Sequence, residues 1–200
     1  MPQKTRYTPE EYLSLERSAE HKHEFYAGEI FAMAGASKEH VRISGNLYFH
    51  LRLQLQGKPC EPFNSDMRVK VAASGLYTYP EVSVACAPLQ FEDAQGDTLV
   101  NPKVLIEVLS PSTEHHDRHF KFKHYRRLDS VTEIVLVHQD APSVERYFRQ
   151  PGTDLWIFDP RYGLEETLRL ESIDCTLTLA QVYQDVEFPP EEEAAAEESK

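Results

Sequence analysis

One glutamate interrupts an apolar segment in the middle of the chain. Residues 103–109 read KVLIEVL, which is apolar on both faces except at Glu107. Such a segment predicts a central strand that is covered on both sides. An ionised carboxylate there costs several kcal/mol unless a partner stabilises it. Three explanations stay open: Glu107 binds a metal ion, it pairs with a buried arginine or lysine, or it lies at an exposed edge.

A second acid, Glu81, follows Pro80 at the start of the preceding predicted strand. Two carboxylates on adjacent strands can share one hard cation such as Mg²⁺ or Mn²⁺ through oxygen ligands. A bound cation lowers the pKa of a coordinated water and stabilises a departing oxygen. A lysine nearby orients the water and offsets charge on a phosphate. The chemistry that this pair predicts is hydrolysis of a phosphodiester.

The sequence around residues 110–119 disfavours two other kinds of catalytic site, a zinc hydrolase centre and a nucleophilic serine. His115 and His119 are four residues apart, as in zinc hydrolases, but no glutamate follows His115 and no downstream ligand is evident. The segment Ser110-Pro111-Ser112-Thr113 lacks the G-x-S-x-G context of a nucleophilic serine. It is instead typical of a strand end that leads into a helix cap. Walker and GxGxxG nucleotide loops are absent from the sequence.

The net charge of −12 argues against a protein that coats nucleic acid through bulk charge. The last ten residues, EEEAAAEESK, carry −4 of that charge. One segment is positively charged, since residues 117–127 hold five Lys/Arg and one acid. We therefore expect a helix there that contacts phosphate. An acidic body does not exclude a nuclease, because a metal-binding site contributes negative charge itself.

The 200 residues contain no apolar run of the ~20 residues that a membrane span needs. The N-terminus lacks an apolar stretch of the signal-peptide type, so a cytoplasmic protein is expected. Cys60, Cys86 and Cys175 are far apart and odd in number. We therefore expect small buried side chains rather than a disulfide framework or a zinc ribbon.

The elements that position these residues follow from periodicity and capping. We predict an α+β fold with a mixed β-sheet, one main helix packed on it, and additional β-hairpins. Residues 1–188 are expected to form a single domain, followed by an acidic disordered tail at 189–200. The predicted helices cover 8–19, 37–57, 117–128 and 179–183; the predicted strands cover 67–71, 80–86, 103–109 and 132–138, with hairpins at 24–34 and 143–158; residues 88–101 are predicted to be a loop.

An acid after proline on one strand, followed by an acid on the next, resembles the PD-(D/E)XK nuclease superfamily. The chain is similar to one branch of it, the Uma-two family of restriction-endonuclease-like proteins, over roughly residues 7–188. The most specific stretches are IEVLSPST and the pattern D-x-x-x-K-x-x-x-Y, here Asp117, Lys121 and Tyr125. Further matching stretches are YTPEEYL, HEFYAGEIFAMAGAS, EHVRISGNLYFHL, NSDMRVKV, YPEVSVAC, DRHFKFKHYRRL and EIVLVHQD.

The resemblance implies a restriction-endonuclease-like mixed sheet flanked by helices. It also implies a divalent-metal-dependent endonuclease that hydrolyses DNA phosphodiester bonds with Mg²⁺ or Mn²⁺. Glu107 takes the second-acid position and Glu81 the first, where the family usually has aspartate; both are the expected metal ligands. Leu109 stands at the usual lysine position. The resemblance moves that lysine to the following helix, at Lys121, with Lys123 as an alternative.

Glu24 and His40 match polar positions that recur in the family, which implies an extra ligand or a water-orienting role. Asp66 matches another recurrent acid, although a strand-start cap explains it equally well. Such nucleases commonly form homodimers, and Trp156 and Phe158 are the expected contacts.

Two other hypotheses stay open. The displaced lysine and the Asp-to-Glu change are compatible with a catalytically inactive fold that acts as a binding or assembly module. An unrelated α+β domain would instead neutralise Glu107 with a buried arginine such as Arg68.

Overall fold

The computed structural model describes residues 6–189, whose strands form three sheets. The helices are α1 (Pro9–Glu16), α2 (Lys38–Leu55), α3 (Phe122–Tyr125) and α4 (Leu179–Val182), with a π-helical turn at His116–Lys121 and a 3₁₀ turn at Glu171–Ile173. The strands are β1 (His23–Tyr26), β2 (Glu29–Ala32), β3 (Cys60–Asn64), β4 (Arg68–Val71), β5 (Leu76–Thr78), β6 (Val82–Cys86), β7 (Thr98–Leu99), β8 (Pro102–Leu109), β9 (Glu133–His138), β10 (Ser143–Arg149), β11 (Trp156–Tyr162), β12 (Thr167–Leu170) and β13 (Cys175–Thr178).

The central sheet has six strands in the order β11-β10-β9-β8-β6-β3. Its middle strand β8 pairs parallel with β9 and antiparallel with β6, which confirms the predicted mixed sheet. From Val104 to Leu109 every residue of β8 is buried, as expected for a strand that is covered on both faces. Glu107 lies within this buried stretch and is 2% exposed.

The main helix α2 covers one face of the central sheet. Ile43, Leu47, Leu51 and Leu55 recur at intervals of four residues and pack into the core with the strands. The helix begins after Ser37, whose side chain accepts a hydrogen bond from the backbone N–H of His40. This cap fixes the first turn of α2, which carries His40, beside the central sheet.

The second sheet, in the order β2-β1-β5-β4-β7, contains the predicted hairpin of β1 and β2. In its strand β4, Arg68 and Lys70 alternate with Val69 and Val71, a pattern typical of a strand with one face in water, but Arg68 is only 3% exposed. The guanidinium of Arg68 donates to Thr98 and Tyr79 and lies 3.0 Å from Asp97. Arg68 therefore has its own partners, and the hypothesis that it neutralises Glu107 is wrong.

The helix after β8 differs from the prediction. It was expected as a phosphate-contacting helix, yet Asp117, Lys121 and Tyr125 are all buried. These three residues recur at intervals of four, so they share one face of the segment that the π-helical turn His116–Lys121 and α3 form. Apolar periodicity does not reveal this face, because two of its three side chains are charged.

Two further expectations are corrected in the strands. Cys60 and Cys86 are directly opposite each other in the antiparallel pair of β3 and β6, and their sulfurs form a disulfide. Their pairing depends on the register of two strands, which their spacing in the sequence does not reveal; Cys175 is free and buried, as expected. The loop predicted at 88–101 contains the short strand β7, which pairs with β4.

The hairpin of β10 and β11 closes one edge of the central sheet. Pro160 lies in the outer strand β11, opposite Glu145. Phe158 is 50% exposed, whereas Trp156 is partly buried against Arg149 and Phe122.

No helix within residues 6–189 is both long and apolar enough to cross a membrane. Apart from its first residue, the tail predicted at 189–200 lies outside the described residues.

Candidate active site

The strands β6 and β8 bring the two predicted acids together. Val82 pairs with Ile106 in this antiparallel ladder. Glu81 immediately precedes Val82 and Glu107 immediately follows Ile106, so extending this register by one step sets the two acids opposite each other. Residues that face each other across an antiparallel pair project on the same side of the sheet. The chain direction of two neighbouring strands therefore places both carboxylates on one face, and both line the same cavity.

Two partners hold the carboxylate of Glu107. The phenol of Tyr125 donates to Oε1 at 2.5 Å, and Nζ of Lys121 lies 3.3 Å from the same oxygen. Burial raises the pKa of Glu107 to about 8. The Lys121 charge and the Tyr125 hydrogen bond lower it, while the negative charges of Asp117 and Glu81 raise it further. Burial therefore favours the neutral form of Glu107 more strongly than Lys121 and Tyr125 favour its charged form.

Lys121 is the cation at the centre of the cluster. Its Nζ lies 3.2 Å from Asp117, 3.3 Å from Glu107 and 3.4 Å from Glu24. Its side chain is only 8% exposed, and these carboxylates raise its pKa despite the opposing effect of burial. Since three carboxylates contact one ammonium group, Lys121 stays protonated and fixes the geometry of the cluster.

Glu24 reaches the cluster from the second sheet. The hydroxyl of Thr78 donates to Oε1 of Glu24 at 2.5 Å, and His116 lies 3.4 Å from Oε2. Burial alone would raise the pKa of Glu24, but Lys121, His116 and Thr78 together lower it to about 2. Glu24 is therefore ionised and joins the two sheets at the site.

His40 approaches Glu81 from the N-terminus of α2. Its Nε2 lies 2.8 Å from Oε1 of Glu81, and the side chains of the two residues are 11% and 18% exposed. A histidine in contact with a carboxylate can act as a general acid or base. The residues at the site can thus supply a lysine cation, a histidine and several carboxylates.

A cavity of about 570 Å³ joins these groups. All five residues that the sequence analysis singled out line it: Glu24, His40, Glu81, Glu107 and Lys121. Among the other residues that line it, Phe31 and His116 were not singled out from the sequence, Asp117 was named only within the family pattern, and Ser110, Ser112 and Thr113 were expected only to end a strand. The four-residue spacing of Asp117, Lys121 and Tyr125 was the available signal for two of the buried partners. Asp66 does not line this cavity; its carboxylate contacts Lys22, and its backbone N–H donates to the side chain of Asn64.

The basic segment at 117–127 exposes fewer cationic side chains to solvent than expected. Arg118 is bound internally, because it donates to Glu114 at 2.6 Å and to both carboxylate oxygens of Glu145. Lys121 is buried in the cluster. The exposed cations that remain in the segment are Lys123, Arg126 and Arg127. Lys123, the alternative to Lys121, therefore lies on the outer side of the helix.

Within residues 6–189, no group of three or more His, Cys, Asp or Glu side chains has the geometry of a metal centre. The pair Glu81 and Glu107 nevertheless offers hard oxygen donors on one face. Both hydrogen-bonded contacts of Glu107 use Oε1. Its other oxygen has no bonded partner among the described residues, so this donor set fits a cation such as Mg²⁺.

A solved structure supports the fold. It is described as a "putative nuclease belonging to DUF820" from Anabaena variabilis ATCC 29413 and matches with a TM-score of 0.72 at 17% identity. The match covers 88% of this chain and 97% of that one. At this identity, the likeness concerns the fold and confirms the restriction-endonuclease-like architecture.

Two relatives come from Synechocystis sp. (strain ATCC 27184 / PCC 6803 / Kazusa). The uncharacterized protein slr1290 is 35% identical over 181 residues, which cover 90% of this chain and 93% of the relative. The uncharacterized protein sll1609 is 37% identical over 156 residues, which cover 78% and 88%. A sequence model of the Uma2 family, described as "Putative restriction endonuclease", matches residues 9–193. The chain therefore belongs to the Uma2 family.

Proposed function

We propose that the chain is a divalent-metal-dependent endonuclease that hydrolyses DNA phosphodiester bonds. The observation that carries this proposal is the arrangement of Glu81 and Glu107 on neighbouring strands, with Lys121 3.3 Å from Glu107. Membership of the Uma2 family supports the same reaction class.

Each residue of the cluster has a task in this reaction. Glu81 and Glu107 would hold a Mg²⁺ or Mn²⁺ ion. Such an ion, when bound, polarises the phosphate and lowers the pKa of a coordinated water. Lys121 supplies a fixed positive charge beside the phosphate, where negative charge develops during hydrolysis. Glu24 fixes the ammonium group of Lys121 from the second sheet.

His40 is placed to manage a proton. It lies 2.8 Å from Glu81, which orients its ring toward the cavity. In the reaction His40 would accept a proton from the attacking water or orient that water. Because Mg²⁺ usually keeps several waters and binds one or two carboxylates together with substrate phosphates, two protein ligands suffice here.

The test is cutting of DNA by the purified protein. Supercoiled plasmid and circular single-stranded DNA are incubated with Mg²⁺, with Mn²⁺ or with EDTA. We expect metal-dependent cutting by the wild type and none by Glu107→Ala or Glu107→Gln. The control is Glu165→Ala, since Glu165 is exposed and does not line the cavity. Equal cutting by wild type and both Glu107 variants would contradict the proposal.

Calorimetry with Mn²⁺ separates an active enzyme from a binding module. We expect wild-type binding that is lost in Glu81→Ala and retained in Glu165→Ala. If the wild type neither cuts DNA nor binds Mn²⁺, the alternative of a catalytically inactive binding or assembly module replaces the proposal.

A further inference from the structure

Two exposed rings flank the opening of the catalytic cavity. Phe31 is 46% exposed, the side chain of His116 is 47% exposed, and both line the cavity. Phe31 lies directly opposite Glu24 in the antiparallel pair of β1 and β2, so their side chains share one face. His116 approaches the same carboxylate to 3.4 Å. Both rings therefore lie close to Glu24, the phenylalanine on β2 and the histidine in the π-helical turn.

The two rings differ in their contacts with neighbouring aromatic side chains. His116 stacks on Phe120, with ring centroids 4.7 Å apart and planes 25° apart, so its orientation is fixed. Phe31 contacts no other aromatic ring within residues 6–189, and it lies on the outer strand of its sheet. A flat apolar surface is thus left beside a polar cavity. A nucleobase has a π-face that can cover such a ring.

The charges of the protein disfavour a long duplex as the ligand. Duplex binding draws its affinity from phosphate neutralisation by Lys and Arg side chains. The chain has a net charge of −12, and two of the five cations at 117–127, Arg118 and Lys121, are bound to internal carboxylates. Binding to single strands relies instead on the stacking of bases on aromatic side chains, in addition to backbone charge.

The depth of the site favours the same ligand. Glu107 is 2% exposed, so a phosphate that is to reach it must enter the cavity. A single strand can place one phosphate inside and turn the adjacent base toward the rim. A base-paired strand keeps its bases stacked within the duplex and offers no free π-face to Phe31.

We propose that Phe31, with His116 beside it, forms a stacking subsite for an unpaired nucleobase, and that the substrate is single-stranded DNA. This inference rests on the proposed function, because it takes the cavity of Glu81 and Glu107 as the place where the phosphodiester is cut. Phe31 contributes to substrate binding and discrimination, and its ring takes no part in proton transfer.

The test measures binding without cutting. Fluorescence anisotropy in EDTA follows a labelled 12-nucleotide thymidine strand, the same strand in a duplex, and an abasic strand of equal length. The wild type binds the thymidine strand more tightly than the duplex. Phe31→Ala weakens thymidine-strand binding by about 5- to 150-fold, the range for the loss of one stacked base. On the abasic strand, which has no base to stack, wild type and Phe31→Ala bind equally.

Two further variants control for folding and for exposed rings in general. Phe31→Leu keeps an apolar side chain but removes the ring, and it loses affinity as Phe31→Ala does. Phe49, on α2, is 60% exposed and does not line the cavity, so Phe49→Ala binds as the wild type does. Unchanged thymidine-strand binding by both Phe31 variants, or duplex binding as tight as single-strand binding, overturns the proposal.

The experiments distinguish a failure of the stacking subsite from a failure of the proposed hydrolysis. Ring-dependent binding without any metal-dependent cutting leaves the stacking subsite standing and removes the hydrolysis. Cutting of duplex DNA at equal rates by wild type and Phe31→Ala leaves the hydrolysis standing and removes the subsite.

Discussion

The phenol of Tyr125 donates a hydrogen bond of 2.5 Å to Oε1 of Glu107. Both side chains are almost completely buried, and Lys121 shares the same oxygen. The carboxylate is therefore held at one oxygen by two donors from a single helix. The contact connects the stability of the helix to the position of the candidate metal ligand.

Replacing Tyr125 with phenylalanine keeps the ring and removes this donor. We expect Tyr125→Phe to lower the free energy of unfolding by about 1–3 kcal/mol, because a buried acceptor loses one of its partners. Urea denaturation measures the loss. Tyr147→Phe is the matched control, since Tyr147 donates to the more accessible Glu145, and its effect should be smaller. An equal loss in both variants would contradict the special role of the buried contact.

Lys121 is the shared cation of three carboxylates, so its removal leaves buried negative charge uncompensated. We expect Lys121→Met to lower the free energy of unfolding by about 3–5 kcal/mol and to abolish metal-dependent cutting. The control is Lys123→Met, two residues away on the exposed side of the helix, which should change stability by less than about 0.5 kcal/mol. If Lys123→Met were the inactive variant, the assignment of Lys121 would be wrong.

Glu145 gives the protein a defined sensitivity to acid. Burial raises the pKa of Glu145, but His138, Arg118 and Tyr147 offset this and lower it to about 2. Because the folded-state pKa lies below the ordinary value of 4.5, the stabilisation is complete above about pH 4.5. It is lost as the pH falls from there toward 2.

The comparison of wild type with Glu145→Gln isolates this effect. Urea midpoints of both proteins are measured between pH 2 and pH 7. The wild type should be the more stable protein at neutral pH, and the difference should shrink steadily below about pH 4.5. A difference that stays constant down to pH 2 would show that Glu145 is not the titrating group.

The disulfide predicts the thiol content of the purified protein. Under denaturing conditions without reductant, one thiol per chain should react, that of Cys175. The disulfide closes a loop with a sequence separation of 26, so its reduction should lower the free energy of unfolding by about 2–4 kcal/mol. Cys60→Ser should lose the same amount and become insensitive to reductant. Three reactive thiols in the unreduced protein would rule the disulfide out.

The parts of the site that lie on strongly patterned elements could be predicted from the sequence. The apolar run around Glu107 indicated its buried strand. The helical spacing of Val41, Ser44, Tyr48, Leu51 and Leu55 indicated the main helix, although its buried face is that of Ile43, Leu47, Leu51 and Leu55. The proximity of Glu81 and Glu107 followed from placing them on adjacent strands, which the structure brings into register. Their chemical roles remain predictions.

The rest depends on strand register and on which charged side chains the fold buries, and the sequence alone displays neither. Phe31 reaches the site because β1 and β2 pair it with Glu24. Cys60 meets Cys86 through β3, a strand with too weak a pattern to be predicted. Asp117 and Lys121 are buried although charged side chains are usually exposed, so no apolar pattern marks their face.

Pro160 has a consequence for the outer edge of the central sheet. The bonds from Gly163 to Pro142 and from Gln150 to Leu155 show that the odd-numbered residues of β11 direct their backbone groups toward β10. Pro160 therefore faces outward, at a position without an N–H. A further strand that paired with β11 would find no backbone N–H donor at Pro160, midway along this edge. Strand addition at this edge, whether by a second copy or by a growing fibre, is therefore disfavoured.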